Sequence, residues 1–593
     1  MHESKSRIFI WIKDNWFLFD PSIGCPVTYF LSGFFVKKFG RKLCFISLSC
    51  MYSQPLFLPV EGKPEDWPIA KLHKYLKIFL EEVVRQSLES LQTRYGTSQV
   101  LCKMLAQTIA KERARVATES WKCDPKDECL FWERMEHAMQ NKENSGQLLT
   151  AILIRYADEI RSSFSVRQYY FMVKMARYAL YALLKPSFLC LRSSLIPWKS
   201  KCKSLEDRLY VTGALDAIRS LAQKGTIVLV PTHSSNWDSV VIGLVMQRLG
   251  LPPLSWGTGL NLFNSRGFRY VFNALGTYKV DRRKKNIPYL EIQKAYVRLT
   301  LEWGCHTLFY PGGTRTRSGA IEKTLKLGFL STPFSAQAHL FQKEGSHAKK
   351  LFIVPVVLNY HCVLEADQLI QELVSGHVAT PVNTHSDCCS TQLLCGRNLL
   401  LKESELFVKI GTPLDVMGHD VDAEGRSYDV EGKEVDLYAA FQKIETAASA
   451  NPSNVHAKTL SQKIVDAYYR IHPVVSSHLI AFVAYELAQK TAHCSMHHTG
   501  VLLKNKLFMN ALSKVYRALS VLYTNKEIDF TPIVQHGQLN LIFEDGLAKL
   551  GIYHAKQPLV RTKNGDVLIQ NMGTLLYYHN RLTGYELEKS IFS

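Results

Sequence analysis

The sequence predicts an α/β fold: a largely parallel sheet flanked by helices, with a helical region on either side. Three observations carry this reading. Short apolar runs at 226–230, 307–310 and 351–358 alternate with helical periodicities over 205–224 and 288–303. Those runs are apolar throughout rather than alternately, as strands covered on both faces are. The chain has 593 residues, too many for one ordinary domain.

Along the chain, residues 1–195 form an expected helical N-terminal region. Apolar positions recur there at spacings of three and four over 69–91 and 99–118. The acid-rich stretch 61–66 and Cys123-Asp-Pro-Lys-Asp-Glu-Cys129 read as connections. Two uncharged runs, 21–36 and 43–60, flank Lys37-Lys-Phe-Gly-Arg-Lys42. Both contain prolines, and the first falls short of the roughly 20 apolar residues a membrane span needs. They read as interfacial or re-entrant segments, or as buried parts of the domain. Over 169–192 aromatic and aliphatic residues are interspersed with Lys174, Arg177 and Lys185. A helix of this kind lies on a headgroup layer with its basic side chains reaching water, although such a stripe also fits a core. The expectation is a peripheral or weakly integral membrane protein. Residues 196–450 hold the α/β pattern, with an insertion over 363–400 containing the loop 377–392. Residues 451–593 return to helical periodicity, as over 460–469 and 478–490, and carry a hairpin signal at Asn564-Gly565.

Composition narrows the partners. Lysine and arginine total 72 against 52 acids, a formal charge of +20 that favours an anionic partner: a phospholipid surface, a phosphorylated substrate or nucleic acid. A basic, solvated surface accounts for charge alone equally well. No RNA-binding or helix-turn-helix signature is present, so nucleic acid is not expected. A hydrophobic fraction of 47% with 21% charged residues excludes disordered and fibrous classes. The 14 cysteines are scattered and include the vicinal pair Cys388 and Cys389. None stands at zinc-ligand spacing, so no metal is expected, and a reducing compartment is favoured over a disulfide framework.

Four segments carry candidate chemistry. In Val230-Pro-Thr-His233-Ser-Ser-Asn-Trp-Asp238 a strand ends at Pro231, just ahead of a helix expected over 240–249. An acid five residues beyond His233 can fold back, fix the imidazole tautomer and stabilise the imidazolium. With 20 histidines, roughly one His-x4-Asp arises by chance, so the spacing gains weight only from its place at a strand exit. Gly276-Thr-Tyr-Lys279-Val-Asp281-Arg282-Arg283 is a cationic segment suited to clamping a phosphate. Alone it is better explained as a solvated charge run. Phe309-Tyr-Pro311-Gly-Gly-Thr-Arg315-Thr-Arg317-Ser-Gly319 leaves a strand with exposed amides and donors at Gly313, Thr314, Arg315 and Arg317, the make-up of an anion cradle. It lacks Walker spacing. Val354-Pro355-Val356 is a strand with Asn359 and Tyr360 beyond it.

Taken in this order, the four segments resemble the motif blocks of the glycerolipid acyltransferase family. The chain is most similar to its large glycerol-3-phosphate and dihydroxyacetone-phosphate members. Gly259-Leu-Asn-Leu262, Leu406-Phe-Val-Lys-Ile-Gly-Thr-Pro413 and Leu576-Tyr-Tyr-His-Asn580 add to the likeness, which covers 205–450 well and 452–593 loosely.

The resemblance implies an acyltransferase core and transfer from acyl-CoA or an acyl carrier protein to a glycerol-phosphate hydroxyl, without a metal or redox cofactor. His233 and Asp238 fall on its catalytic pair, Gly313, Arg315 and Arg317 on its phosphate loop, and Arg282 on the end of its second block. In this mechanism Ser234 and Ser235 are bystanders. Gly312 departs from the pattern, for the family usually has glutamate there; this leaves the acceptor open while the catalytic pair is intact. Lysophosphatidate acyltransferases share these blocks but usually lack such large flanks. A serine hydrolase would need Gly-x-Ser-x-Gly, which neither Ser234 nor Ser235 satisfies. A catalytically silent basic membrane-binding module is the alternative of another class.

Overall fold

A computed structural model describes residues 60, 62–96, 98–184, 208–264, 266–375, 404–446, 452–492 and 500–592. The run 21–36, the run 43–60 save its last residue, and the loop 377–392 with Cys388 and Cys389 lie outside the described residues.

Among the described residues, seven strands build the main sheet: β1 (Leu209–Gly213), β2 (Gly225–Pro231), β3 (Ser255–Gly259), β4 (Tyr278–Val280), β5 (Thr307–Leu308), β6 (Lys350–Tyr360) and β7 (Leu406–Ile410). Their order is β1-β7-β6-β2-β5-β3-β4. Neighbours run parallel except β6 and β7. The expected α/β layer with a largely parallel sheet is thus the observed one. All of β2 and all of β6 but Lys350 are buried or nearly so, which explains why both read as unbroken apolar runs. Pro231 stands opposite Val356, so β2 leaves the sheet alongside β6, which runs on to Tyr360.

One expected element is corrected. The helix read over 205–224 is divided: Leu209–Gly213 is β1, and the helix begins at Leu215. The Leu-Tyr-Val-Thr run suits a strand, and pairing with β7 gives it a partner that local periodicity cannot reveal.

Helices surround the sheet. Before it come α1 (Leu76–Tyr95), α2 (Ser98–Thr118), α3 (Glu128–Gln140), α4 (Ser145–Ile160) and α5 (Val166–Leu184). Within the α/β region lie α6 (Leu215–Lys224), α7 (Asp238–Arg248), α8 (Ile287–Glu302), α9 (Leu327–Glu344) and α10 (Ala366–Ser375). After it come α11 (Pro452–Arg470), α12 (Ser476–Ala492), α13 (Asn505–Thr524), α14 (Leu539–Lys549) and α15 (Met572–His579). The Asn564-Gly565 signal corresponds to an antiparallel pairing of Leu559–Arg561 with Val567–Ile569, with Gly565 at φ +85°.

The N-terminal helices are fastened to α8, against which α1 and α4 pack. Phe79 meets Tyr296 and Trp303 edge to face at 5.1 and 5.6 Å. Asn286 caps α8 by accepting from Tyr289 N–H at 3.0 Å and donates to Glu112 Oε1 at 2.6 Å. Beside it Lys284, with 2% of its side chain exposed, pairs with Glu159 and with Glu128 at 3.3 Å. Arg115 reaches Glu112 at 2.8 Å and also pairs with Glu128. Arg283 stacks 3.7 Å over Trp121 and binds Asp124 at 2.6 Å. Arg283, at the end of the cationic segment, and Lys284 just beyond it therefore serve as internal struts.

On α5, Tyr169, Val173 and Leu180 face inward, while Tyr170, Phe171 and Met175 are exposed beside Lys174. Among the described residues, no helix is long and apolar enough to cross a membrane. In the C-terminal region α12 packs against α13, α14 and α15, and its core is continuous with that of the sheet.

Lys284→Met would leave buried carboxylates without their cation, at a cost of about 3–5 kcal/mol. A clear drop in the thermal or denaturant midpoint is expected, and an unchanged midpoint would show that this network does not hold the helices to the core.

Candidate active site

The site begins where β2 ends. Thr232 N–H still donates to Val356 O at 3.0 Å, and the next residue, His233, is the first clear of the sheet. The turn 233–237 then leads into α7, whose first residue is Asp238. The Asp238 carboxylate is wholly buried, and four donors satisfy it. Oδ2 accepts from His233 Nδ1 at 2.9 Å, Ser234 N–H at 2.7 Å and Ser235 N–H at 2.9 Å. Oδ1 accepts from Tyr360 O–H at 2.6 Å, at the end of β6. The helix N-terminus adds its positive end.

With Nδ1–H committed to a carboxylate that only accepts, the neutral imidazole carries its lone pair on Nε2. That atom has no hydrogen-bond partner among the described residues, and the His233 side chain is 18% exposed. Tyr310 stacks on the ring at 3.8 Å and 17°, its hydroxyl hydrogen-bonded to Ser239 Oγ at 2.8 Å. Burial and the Asp238 charge hold the Tyr310 phenol well above its ordinary range, so it stays neutral.

The arginine loop is docked on this residue: Thr316 N–H donates to His233 O at 2.8 Å. Arg315 Nη1 lies 3.6 Å from Glu365 Oε1, too far for a hydrogen bond, and is a shielded donor with no acceptor among the described residues. Arg317 Nε is 3.5 Å from Glu372. Thr314 is exposed. Gly313 has φ +80°, and a methyl there would stand 2.7 Å from Lys326 Nζ. Arg282 Nη2 donates to Gly313 O at 3.0 Å. Desolvation and the neighbouring Arg315 charge both push Arg282 below the ordinary arginine pKa. Arg282, Arg315 and Lys326 thus gather positive charge around one glycine, an arrangement that an anion relieves. Lys279 is placed elsewhere, over the Phe263 ring at 5.9 Å. Burial, then the Arg161 charge, lower its pKa.

Several residues that build the site escape sequence reasoning. Glu365 accepts from Ser235 Oγ at 3.1 Å and Asn236 N–H at 3.0 Å, bracing the turn. Glu322 Oε1 accepts His233 N–H at 2.9 Å. From the C-terminal region, Arg581 hydrogen-bonds Ser234 Oγ, Asn580 Nδ2 donates to Ser318 O at 2.9 Å, and Tyr468 O–H donates to Val230 O at 2.9 Å. Ser234 and Ser235 are therefore structural posts. Only Tyr310 and Tyr360 sit inside or beside a recognisable motif; the others are joined to His233 or to the strand, turn and loop around it by tertiary contacts across 89 to 347 residues. Among the described residues, no group of three His, Cys, Asp or Glu side chains is placed to hold a metal.

Residues 214–359 match the family described as Acyltransferase. Proteins named glycerol-3-phosphate acyltransferase are similar over part of their length. That of Pseudoalteromonas atlantica is 28% identical over 162 residues, 27% of this chain and 19% of that one. That of Hamiltonella defensa is 29% identical over 162 residues, with the same shares. That of Ectopseudomonas mendocina is 26% identical over 160 residues, 27% and 18%. The matched stretch is about a fifth of the length of these relatives.

Gly319, at φ +83°, lies so close to α15 that a Cβ would stand 2.0 Å from Tyr577 O. Gly319→Ala should lower the melting midpoint and speed amide exchange over 572–582, at a cost above about 1 kcal/mol. Gly328→Ala, with nothing within 4 Å of its Cβ, should be neutral or slightly stabilising. Equal behaviour of the two variants would contradict the docking of this loop on α15.

Proposed function

We propose that this chain, whose residues 214–359 match the family described as Acyltransferase, is a glycerol-3-phosphate O-acyltransferase of phospholipid synthesis, taking its acyl group from acyl-CoA or an acyl carrier protein. The observation that carries the reading is the 2.8 Å hydrogen bond that pins the arginine loop to His233. It ties the loop that carries Arg315 and Arg317 to the residue whose Nε2 has no hydrogen-bond partner among the described residues.

In this account the acceptor phosphate rests on Arg282, Arg315, Arg317 and Lys326, with Gly313 and Thr314 lining the loop. Its free hydroxyl meets His233. Nε2 removes the hydroxyl proton as the oxygen attacks the thioester carbonyl, and Asp238 stabilises the imidazolium. The tetrahedral intermediate collapses with cleavage of the C–S bond, and His233 returns the proton to the departing thiolate. Holding both substrates in one site supplies much of the acceleration. No enzyme nucleophile is required, because the thioester is already activated.

Dihydroxyacetone phosphate and lysophosphatidate are the competing acceptors, since the same base and cradle suit each. The exposed aromatic and basic side chains of α5 support peripheral attachment to a phospholipid surface, with the site on the cytoplasmic side or in a reducing compartment. We take 1–195, 196–450 and 451–593 as the N-terminal, catalytic and C-terminal regions.

Labelled acyl-CoA offered with the three acceptors tests the reading, and glycerol 3-phosphate is expected to be acylated fastest. His233→Ala should reduce turnover by about 10²–10⁴-fold; undiminished transfer would sink the mechanism. Arg315→Ala should chiefly raise the acceptor KM. An effect confined to the acyl donor would refute the phosphate assignment.

A further inference from the structure

His233 and Ser234 are each held by a residue from a distant part of the chain, and the two residues carry opposite charge. Glu322 accepts His233 N–H at 2.9 Å through Oε1. Arg581, 1% exposed, hydrogen-bonds Ser234 Oγ through Nη2. Each retains one shielded polar atom, Glu322 Oε2 and Arg581 Nη1, with no hydrogen-bond partner among the described residues. A shielded carboxylate oxygen and a shielded guanidinium nitrogen left unsatisfied are each costly. Opposite charges in such surroundings attract strongly.

The room for Glu322 is made by Gly312. A Cβ at 312 would stand 3.1 Å from Glu322 Cγ and 3.4 Å from its Oε1, so any larger residue there would crowd it. Burial raises the Glu322 carboxyl above its ordinary pKa; the His233 N–H and the Arg581 charge act against this and favour the anion. Arg581 is itself fixed by its neighbours. Asn580 holds Ser318 O, and the backbone of Tyr577 lies against Gly319.

We propose that Glu322 and Arg581 form a charged bracket that positions the base, through which the C-terminal region completes a site whose catalytic pair lies in the 214–359 domain. Neither touches the reacting atoms; both act through the placement of His233. The chemistry rests on the acyl-transfer reading above, but the bracket itself is a property of the fold.

The test uses the full chain and the variants Arg581→Lys, Glu322→Gln and the double variant. Glutamine keeps the bond from His233 N–H with its one oxygen while removing the charge, and lysine keeps the charge while losing the fork. Two readouts are taken: kcat and KM for labelled acyl-CoA and glycerol 3-phosphate, and amide exchange by mass spectrometry over 232–240. Each single variant should lower kcat by about tenfold or more with both KM values little changed, and should speed exchange over 232–240. The double variant should be no worse than the poorer single one, because the two residues act as a unit. Additive losses, or unchanged kcat and exchange in both single variants, would overturn the bracket. A wild-type chain inactive on every acceptor, whose exchange still responds in this non-additive way, would uphold the bracket and overturn the acyl-transfer reading instead.

Discussion

The site is organised around one buried carboxylate. Asp238 is removed from water, and an ion so placed is tolerable only when its lone pairs are filled. Here they are filled by the residues that must be held still: the His233 ring, the amides of the following turn, and Tyr360 at the end of β6. The desolvation cost of Asp238 and the orientation of His233 are thus two aspects of one arrangement. β2 and β6 run side by side to the same edge, so the turn carrying His233 and the tyrosine that seals Asp238 come together without any long-range adjustment.

Positive charge is sorted by the same fold. The segment Lys279 to Lys284 is dense in cations, yet the structure separates their duties. Arg283 and Lys284 are consumed by carboxylates of the N-terminal helices, while Arg282 turns to Gly313 and joins Arg315 and Lys326. The N-terminal helices therefore bear on the site indirectly, by fixing the strand and turn from which Arg282 projects. The C-terminal region acts at closer range, through Arg581, Asn580 and Tyr468.

Much of the architecture was legible in the sequence because it is written in local periodicity. β2 and β6 are uninterrupted apolar runs since both faces are covered, and α8 begins at the Asn286 cap with Pro288 in its first turn. The helix read over 205–224 failed where a long-range partner, β7, decides the state of 209–213. At the site, the motif segments were visible as residue types at strand exits. Glu322, Lys326, Glu365 and Arg581 were not. Nothing in their immediate neighbours distinguishes them from surface charges, and their roles exist only once the loop 312–319 has folded back onto His233. Gly312 shows the same limit from the other side: as sequence it is a missing carboxylate, while in the fold it is the space that the Glu322 carboxylate occupies.

The proposed role of the Asp238 carboxylate, to organise His233 as the base, is addressed by Asp238→Asn. Asparagine preserves shape but offers one acceptor oxygen where four donors converge, and its amide cannot stabilise the imidazolium. The rate of acyl transfer from labelled acyl-CoA to glycerol 3-phosphate, measured at saturating substrates, should fall by about 10²–10⁴-fold in a chain that remains folded. Turnover within about threefold of the wild type would contradict it.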